Sequence, residues 1–336
     1  MPALRLDKLA KTFHRRSRPA GGLGRLSQLF RPSRPIEVPA VIGVSFAVEA
    51  GERVAFIGPN GAGKSTTLKM LTGMLTPSAG HAEVAGLVPW QARRRLASRI
   101  GIVFGQRSQL WPQLPVADSF WLLARIYGVS RAAFLTQKAR LTHAFAIGDF
   151  MDRPASQLSL GQRMRCEIAA ALLHGPGILF LDEPTIGLDV TAKAALRDHL
   201  NELSRADATT VLLTSHDTGD IEKICERVIV IDHGRLIMDV SLDKLRRDYL
   251  GRRMVTLTTA EEEPLLALDG VEVAARAPYR LSLAVDTARM PIQKVVAEAM
   301  ERLTIQDLMI ENPPLEDVIK AIYRGDRREP AEWGAS

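Results

Sequence analysis

The segment Gly58-Pro59-Asn60-Gly61-Ala62-Gly63-Lys64-Ser65 has the form G-x-x-x-x-G-K-[ST] of a phosphate-binding loop. The apolar run 54–57 before it predicts a buried strand, and residues 66–71 after it predict a helix. In this context the glycines let backbone N–H groups approach phosphate oxygens, and the helix N-terminus favours negative charge. The alternative is a glycine-rich turn with a chance lysine, and the flanking elements argue against it.

The loop predicts roles for individual residues. Lys64 is expected to contact the β- and γ-phosphates of a nucleotide, and the Ser65 hydroxyl to ligate Mg²⁺. The residues predicted to bind the nucleotide in this segment are Gly58, Pro59, Asn60, Gly61, Ala62, Gly63, Lys64, Ser65 and Thr66.

The composition is typical of a globular chain, and its 336 residues predict about two domains. No apolar run reaches the ~18 residues of a membrane span, and charges such as Arg5 and Lys8 interrupt any apolar signal segment. Cys166 and Cys225 are far apart and are expected to be reduced, in a cytoplasmic protein. The net charge of +6 suits nucleic acid or an anionic membrane surface and decides neither.

Short apolar strands alternate with helical stretches and predict an α/β core with a largely parallel sheet. Residues 4–13 and 38–57 are interpreted as strands of one sheet that leads into the phosphate loop. The stretch 107–157 has no convincing strand and predicts a helical subdomain, with limits of about 107–165. The other predicted strands of the core lie at 100–104, 178–181, 211–214 and 228–231.

An Arg-rich insertion lies at about 15–35, between the first predicted strands. It contains six arginines and no acidic residue. Two interpretations stay open: a solvated loop, or a patch that binds an anionic membrane surface.

The pattern changes after about residue 250. Predicted strands at 252–259 and 279–285 and a predicted helix at 291–303 indicate a small α+β accessory domain. A last helix is expected to begin at 313–317, where prolines and acids occupy the first turn.

These patterns together give a predicted domain organisation. The α/β core with its helical subdomain extends over 4–250, and the accessory domain over 251–325. The polar tail 326–336 is expected to be flexible.

An acidic pair follows the predicted strand 178–181. The strand brings Asp182 to its carboxyl end, where open α/β sheets bind their ligands and where a carboxylate can hold Mg²⁺. The side chain of Glu183 points to the opposite face, a position suited to orienting and deprotonating an attacking water. An acidic turn without catalytic function is the alternative. The pair together with the phosphate loop predicts nucleotide hydrolysis.

The segment Leu158-Ser159-Leu160-Gly161-Gln162 lies about twenty residues before this strand. With it, the chain resembles the ATP-binding subunits of ABC transporters, whose signature loop has the form L-S-G-G-Q at this place. Leu160 departs from that pattern, where the family has glycine. The resemblance implies that Ser159, Gly161 and Gln162 bind the γ-phosphate side of ATP. An N-cap role of Ser159 for a helix over 162–173 is compatible with this.

Further family motifs occur in the expected order along residues 4–250. Gln106 matches the glutamine that senses Mg²⁺ and the membrane subunit, and 187–189 (Gly-Leu-Asp) matches the D-loop. His216 matches the histidine that hydrogen-bonds the γ-phosphate, and Phe13 lies where the family has an aromatic residue stacked on adenine. The resemblance thus implies catalytic roles for Glu183, His216, Lys64 and Gln106, and metal ligation by Ser65, Gln106 and Asp182.

The resemblance also implies partners. Two copies would face head to tail, each ATP lying between the phosphate loop of one and the signature loop of the other. Integral-membrane permeases would complete the system and hold the chain peripherally at the cytoplasmic face of the membrane. The segments 103–107, 158–165 and 181–189 resemble a subgroup related to sodium and drug exporters with ABC-2 type permeases, and 312–317 resembles the tail of drug-export ATPases.

Two other functions are compatible with parts of the sequence. An ABC ATPase that drives a membrane complex without transport, as in envelope remodelling, would carry the same motifs. An ABC ATPase of nucleic acid or ribosomes suits the positive charge, but the interval from Lys64 to Ser159 has neither heptads nor cysteines. We therefore expect no nucleic-acid partner, and an ATPase that uses ATP and Mg²⁺ to power an exporter.

Overall fold

The computed structural model describes residues 2–15, 36–105, 107–249, 252–287 and 289–311. Gln106, the predicted last helix and tail, and the Arg-rich insertion beyond Arg15 lie outside the described residues. Contacts divide the chain into two compact units, residues 1–240 and 241–336. The domain limits given above stay a prediction.

Thirteen strands and nine α-helices occur in the described residues. The strands are β1 (Leu4–Arg15), β2 (Ile36–Val48), β3 (Arg53–Ile57), β4 (Ala79–Val84), β5 (Ile100–Phe104), β6 (Ile178–Asp182), β7 (Thr210–Thr214), β8 (Arg227–Asp232), β9 (Arg235–Ser241), β10 (Arg252–Thr259), β11 (Val271–Ala277), β12 (Arg280–Asp286) and β13 (Ile305–Glu311). The helices are α1 (Lys64–Leu71), α2 (Arg93–Ala97), α3 (Val116–Ile126), α4 (Arg131–Ala144), α5 (Leu160–Leu172), α6 (Val190–Asp207), α7 (Thr218–Ile224), α8 (Leu242–Tyr249) and α9 (Ile292–Arg302).

The central sheet of the first unit has six strands in the order β5-β6-β7-β3-β8-β9. Its first four neighbouring pairs, from β5 to β8, are parallel. All five residues of β3 are buried, as expected for a strand covered on both faces. The predicted α/β fold with a largely parallel sheet is confirmed.

A second, antiparallel sheet of the first unit has the order β2-β1-β4. The expectation that 4–13 and 38–57 form one sheet is therefore wrong, because β3 belongs to the central sheet. The burial pattern explains the difference. Leu4, Leu6 and Leu9 of β1 are buried while Arg5 and Asp7 are exposed, which is typical of a sheet with one solvent face.

Helices fill the chain between β5 and β6. They include α3, α4 and α5, as the helical pattern of 107–157 predicts. Helix α5 begins at Leu160, two residues earlier than expected, because Ser159 caps it. In the described part of the chain, no helix combines the length and the apolar character that crossing a membrane requires.

The second unit contains a four-stranded antiparallel sheet in the order β11-β12-β10-β13. Alternate residues of β10 and β12 are buried and pack with Val295 and Ala299 of α9 in one apolar cluster. This agrees with the α+β pattern expected here, although β11 and β13 were not predicted.

Candidate nucleotide-binding site

The phosphate loop connects β3 to α1 by a tight turn at which two glycines are required. Gly63 precedes α1 with φ of 108°, a conformation that L side chains rarely adopt. At Gly58, an added Cβ would lie 2.2 Å from the Ile231 carbonyl oxygen. Pro59, Asn60 and Gly61 are exposed at the tip. The loop is thus packed at both ends and open to solvent where phosphate is expected to bind.

Lys64 lies at the first position of α1 and is buried. Its Nζ donates to the carbonyl oxygens of Gly58 at 2.5 Å and Pro59 at 3.2 Å. Burial lowers the pKa of the Lys64 ammonium, and the nearby carboxylates of Glu183 and Asp182 oppose that change. The ammonium is therefore held against the loop, within electrostatic range of the acidic pair.

Asp182 ends β6 beside the neighbouring strand β7. Its Oδ1 accepts a hydrogen bond of 2.7 Å from the Thr214 hydroxyl, and the two residues are partners in the register of the parallel pair. Asp182, Glu183 and Ser65 line one cleft of about 370 Å³, together with Gly105 and Arg107. The two predicted metal ligands in the described residues are thus brought together.

Glu183 and His216 are in direct contact. Oε1 of Glu183 lies 2.9 Å from Nε2 of His216, and that nitrogen lies 3.4 Å from Nζ of Lys64. The backbone of Glu183 has φ of 54°, and its N–H donates to the carbonyl and hydroxyl oxygens of Thr214 at 3.0 and 3.1 Å. Glu183 (the predicted catalytic base), His216 and Lys64 therefore form one continuous group of side chains.

The signature segment lies apart from this cleft. The Ser159 hydroxyl accepts from the Gln162 N–H at 3.2 Å, and the Gln162 side chain accepts from the Ser159 N–H at 3.0 Å, which completes a capping box. A Cβ at Gly161 would lie 2.9 Å from that of Ala192. No residue of 159–162 lines the cleft. Within one chain, the structure does not bring the two halves of the predicted site together.

Two further predicted residues are not placed in the cleft. Gln106 lies outside the described residues, while its neighbours Gly105 and Arg107 do line the cleft. Phe13 is on β1, 42% exposed, and Nζ of Lys11 lies 5.5 Å from its ring centroid. Its proposed stacking on adenine stays a prediction.

Sequence reasoning missed two residues that build the cleft. Thr214 ends a predicted strand, and a polar residue that closes an apolar strand next to the acidic pair is a usable signal. Gly105 allows close approach, because a Cβ there would lie 2.5 Å from the Glu183 carbonyl oxygen. No pattern in the sequence indicates that contact.

Glu167 of α5 fixes the segment that follows Gln106. Its carboxylate is buried and accepts hydrogen bonds from the Ser108 hydroxyl and, at 3.0 Å, from the Gln109 N–H. The Gln109 side chain donates to the Glu167 carbonyl at 2.8 Å. Burial raises the pKa of the Glu167 carboxyl, and the hydrogen bonds from the Ser108 hydroxyl and the Gln109 N–H oppose the increase. The loop after Gln106 is thus attached to the helix that begins at the signature segment.

We expect Glu167→Gln to remove a pH-dependent part of the stability. Because the pKa of Glu167 is raised in the folded chain, the folded state takes up a proton at higher pH than the unfolded state does. As the pH falls from neutral towards the ordinary pKa of a glutamate, about 4.3, the free energy of unfolding of the wild type should therefore rise relative to that of the variant.

Urea unfolding at several pH values measures this difference. Tryptophan fluorescence is a suitable probe, since three of the four tryptophans, Trp90, Trp111 and Trp121, belong to the first unit. Glu49→Gln, which changes an exposed carboxylate between β2 and β3, is the matched control and should show no such trend. Equal pH slopes for the wild type and Glu167→Gln would contradict the interpretation.

Comparisons with known proteins give one family. The family model "ABC transporter" matches residues 41–186. The daunorubicin/doxorubicin resistance ATP-binding protein DrrA of Streptomyces peucetius is 33% identical over 295 residues, which cover 84% of this chain and 87% of that protein. The Nod factor export ATP-binding protein I of Burkholderia orbicola (strain AU 1054) is 37% identical over 211 residues, 63% of this chain and 69% of that protein.

A solved structure shares the fold. The dimeric, post-hydrolysis state of the ATP-binding cassette MJ0796 bound to ADP and Pi superimposes with a TM-score of 0.59, at 24% identity, over 71% of this chain and 98% of that chain. The long match to DrrA and the family model agree with the cleft geometry and confirm the resemblance that the motifs indicate. The chain therefore belongs to the ATP-binding subunits of ABC transporters, and it is an ATPase that hydrolyses ATP to energise transport.

Proposed function

We propose that this chain powers an exporter, as one of two copies that share two ATP sites. The observation that supports the proposal most directly is the group formed by Lys64, Ser65, Asp182, Glu183 and His216 at the carboxyl ends of parallel strands. Charge stabilisation and positioning are what phosphoryl transfer requires of a protein. The separate position of the signature segment suits a site completed by a second copy.

The proposed roles follow from the contacts. Lys64 neutralises negative charge on the β- and γ-phosphates, and His216 holds the γ-phosphate by a hydrogen bond. Glu183 orients the attacking water and accepts its proton, and the contact with His216 at 2.9 Å keeps that carboxylate in place. Gln106, which lies between the cleft residues Gly105 and Arg107 in the sequence, is assigned to sensing Mg²⁺ and the membrane subunit.

The cleft also fits Mg²⁺. Ser65 contributes a hydroxyl oxygen and Asp182 a carboxylate oxygen, the hard oxygen donors that this ion prefers. Thr214 orients the Asp182 carboxylate by its hydrogen bond of 2.7 Å. When bound, Mg²⁺ would neutralise charge on the β- and γ-phosphates, with Gln106 as a further ligand.

Other surfaces of the chain are proposed to bind the adenine ring and the second copy. Phe13, exposed on β1, is proposed to stack on adenine. Ser159, Gly161 and Gln162 are proposed to contact the γ-phosphate of the ATP bound by the partner copy. The segment 187–189 would cross to that copy.

Subunits of this family dimerise and pair with permeases. Here we propose an ABC-2 type permease, a peripheral position at the cytoplasmic face of the membrane, and transport out of the cell. The names of two relatives support the direction, since one is a Nod factor export protein and the other a drug resistance protein.

Isolation of the tagged chain from solubilised membranes tests the pairing. We expect an integral-membrane permease to accompany it, and the complex in proteoliposomes to hydrolyse ATP in a reaction that EDTA stops. Lys223→Ala, which removes an exposed ammonium of α7, is the control variant, and the permease should accompany it as it accompanies the wild type. If the chain is isolated without any permease from membranes that contain its candidate partners, the pairing is wrong.

A further inference from the structure

Asp220 of α7 is a fully buried carboxylate that joins three segments of the chain. Its Oδ1 lies 2.6 Å from Nε of Arg197 in α6. Its Oδ2 accepts hydrogen bonds from the Ser215 hydroxyl at 2.6 Å and from the Thr185 hydroxyl. A buried carboxylate is costly unless it is paired and hydrogen-bonded. Arg197, Ser215 and Thr185 are therefore held by the same carboxylate.

Asp217 extends the same network towards solvent. Its Oδ1 accepts from Nη2 of Arg197 at 2.8 Å, and its Oδ2 from Nζ of Lys193 at 2.7 Å. The guanidinium of Arg197 lies so close to Gly219 that a Cβ there would be 2.9 Å from Nη1. We call Thr185, Lys193, Arg197, Ser215, Asp217 and Asp220 the Asp220 cluster.

Two members of the Asp220 cluster adjoin the proposed catalytic side chains. Ser215 directly precedes His216, and Thr185 follows Glu183 by two residues. The backbone of Glu183 has φ of 54°, which is unfavourable for a residue with a side chain. Such a conformation persists only when its surroundings hold it, and the bond from Thr185 to Asp220 is one restraint on that turn.

We propose that Asp220 is a positioning residue, which keeps Glu183 and His216 in contact by fixing the loop of each to the same carboxylate and to α6. The proposal rests on the roles of Glu183 and His216 proposed above. No residue of the phosphate loop 58–65 belongs to the Asp220 cluster. Loss of the cluster should therefore affect the chemical step much more than nucleotide binding.

Steady-state ATP hydrolysis by Asp220→Asn tests this. We expect kcat to fall roughly 10- to 100-fold, since small displacements of catalytic groups have effects of that size, while KM for ATP and the calorimetric affinity for ADP change less than about 3-fold. Asp198→Asn is the matched control, because Asp198 lies next to Arg197 on α6 and its side chain is 62% exposed. It should keep the wild-type kcat.

Two milder variants decide the case if Asp220→Asn does not fold. Thr185→Val and Ser215→Ala each remove one loop restraint and leave the Asp220–Arg197 ion pair intact. Each should lower kcat roughly 3- to 10-fold at unchanged KM. The proposal is overturned if both fold and hydrolyse ATP at the wild-type rate, or if KM rises in proportion to the loss of kcat.

Glu183→Gln, measured in parallel, separates this inference from the catalytic assignment. If Glu183→Gln is inactive while the three cluster variants are normal, the assignment stands and the positioning role of Asp220 is wrong. If Glu183→Gln retains the wild-type rate, the assignment itself fails, and the positioning role fails with it.

Discussion

Glu183→Gln is expected to lower kcat for ATP hydrolysis by at least about 100-fold, the usual contribution of a positioned general base. The amide has nearly the same shape as the carboxylate and still offers an oxygen to His216, 2.9 Å away. It cannot accept a proton from water. Binding of ATP, which depends on the phosphate loop, should be retained.

A second result is expected of the same variant. Because the γ-phosphate is not removed, two copies should remain closed around ATP and accumulate as a dimer. Light scattering coupled to size-exclusion chromatography, with and without ATP and Mg²⁺, measures this. Glu83→Gln, on the exposed face of β4, should behave as wild type. A normal rate of hydrolysis by Glu183→Gln would refute the role of Glu183 as base.

Lys64→Ala is expected to weaken nucleotide binding by about 30-fold or more, since removing one partner of a desolvated charge pair typically costs about 2–5 kcal/mol. Lys64 is buried and lies at the start of α1 with its Nζ against the loop carbonyls of Gly58 and Pro59. No other described ammonium contacts those carbonyl groups. Phosphate would therefore lose its main positive partner.

Isothermal calorimetry with ADP measures this affinity. Lys223→Ala, which removes an exposed ammonium outside the phosphate loop, is the control and should bind as wild type. Thermal unfolding without nucleotide shows whether the Lys64 variant is folded. An affinity for ADP equal to that of the wild type would exclude Lys64 from the site.

The parts of the fold that followed from sequence are those with strong local signals. Strand β5 has the predicted limits, because an apolar run ends at Gly105. Sheet membership was harder to predict, since β1 and β3 both have the pattern of a strand and differ in whether one face or two are buried. Strands β11 and β13 were missed because they are edge strands with mostly exposed residues, which lack the alternation of a half-buried strand.

In the candidate site, too, the features with a local sequence signal were predicted and the contacts between distant segments were not. The phosphate loop and the acidic pair are contiguous motifs, so their spacing in sequence specifies their chemistry. The contact of Glu183 with His216 and the bonds of Thr185 and Ser215 to Asp220 join residues of different segments, and only folding brings them together. The role of Asp220 has no signal in the sequence, because a single acidic residue in a short helix is ordinary.

The pairing of β1 with β2 has a practical consequence. Arg15 and Ile36 are register partners at the end of the two strands, so the chain leaves the sheet and returns to it at adjacent points. Lengthening a connection between such points costs little, about 0.6 kcal/mol for each doubling. Further along β2, the Ala40 carbonyl lies against Gly63 of the phosphate loop. The connection at this hairpin end can therefore be lengthened at little cost in stability, whereas the part of β2 at Ala40, which packs against the phosphate loop, has to keep its position.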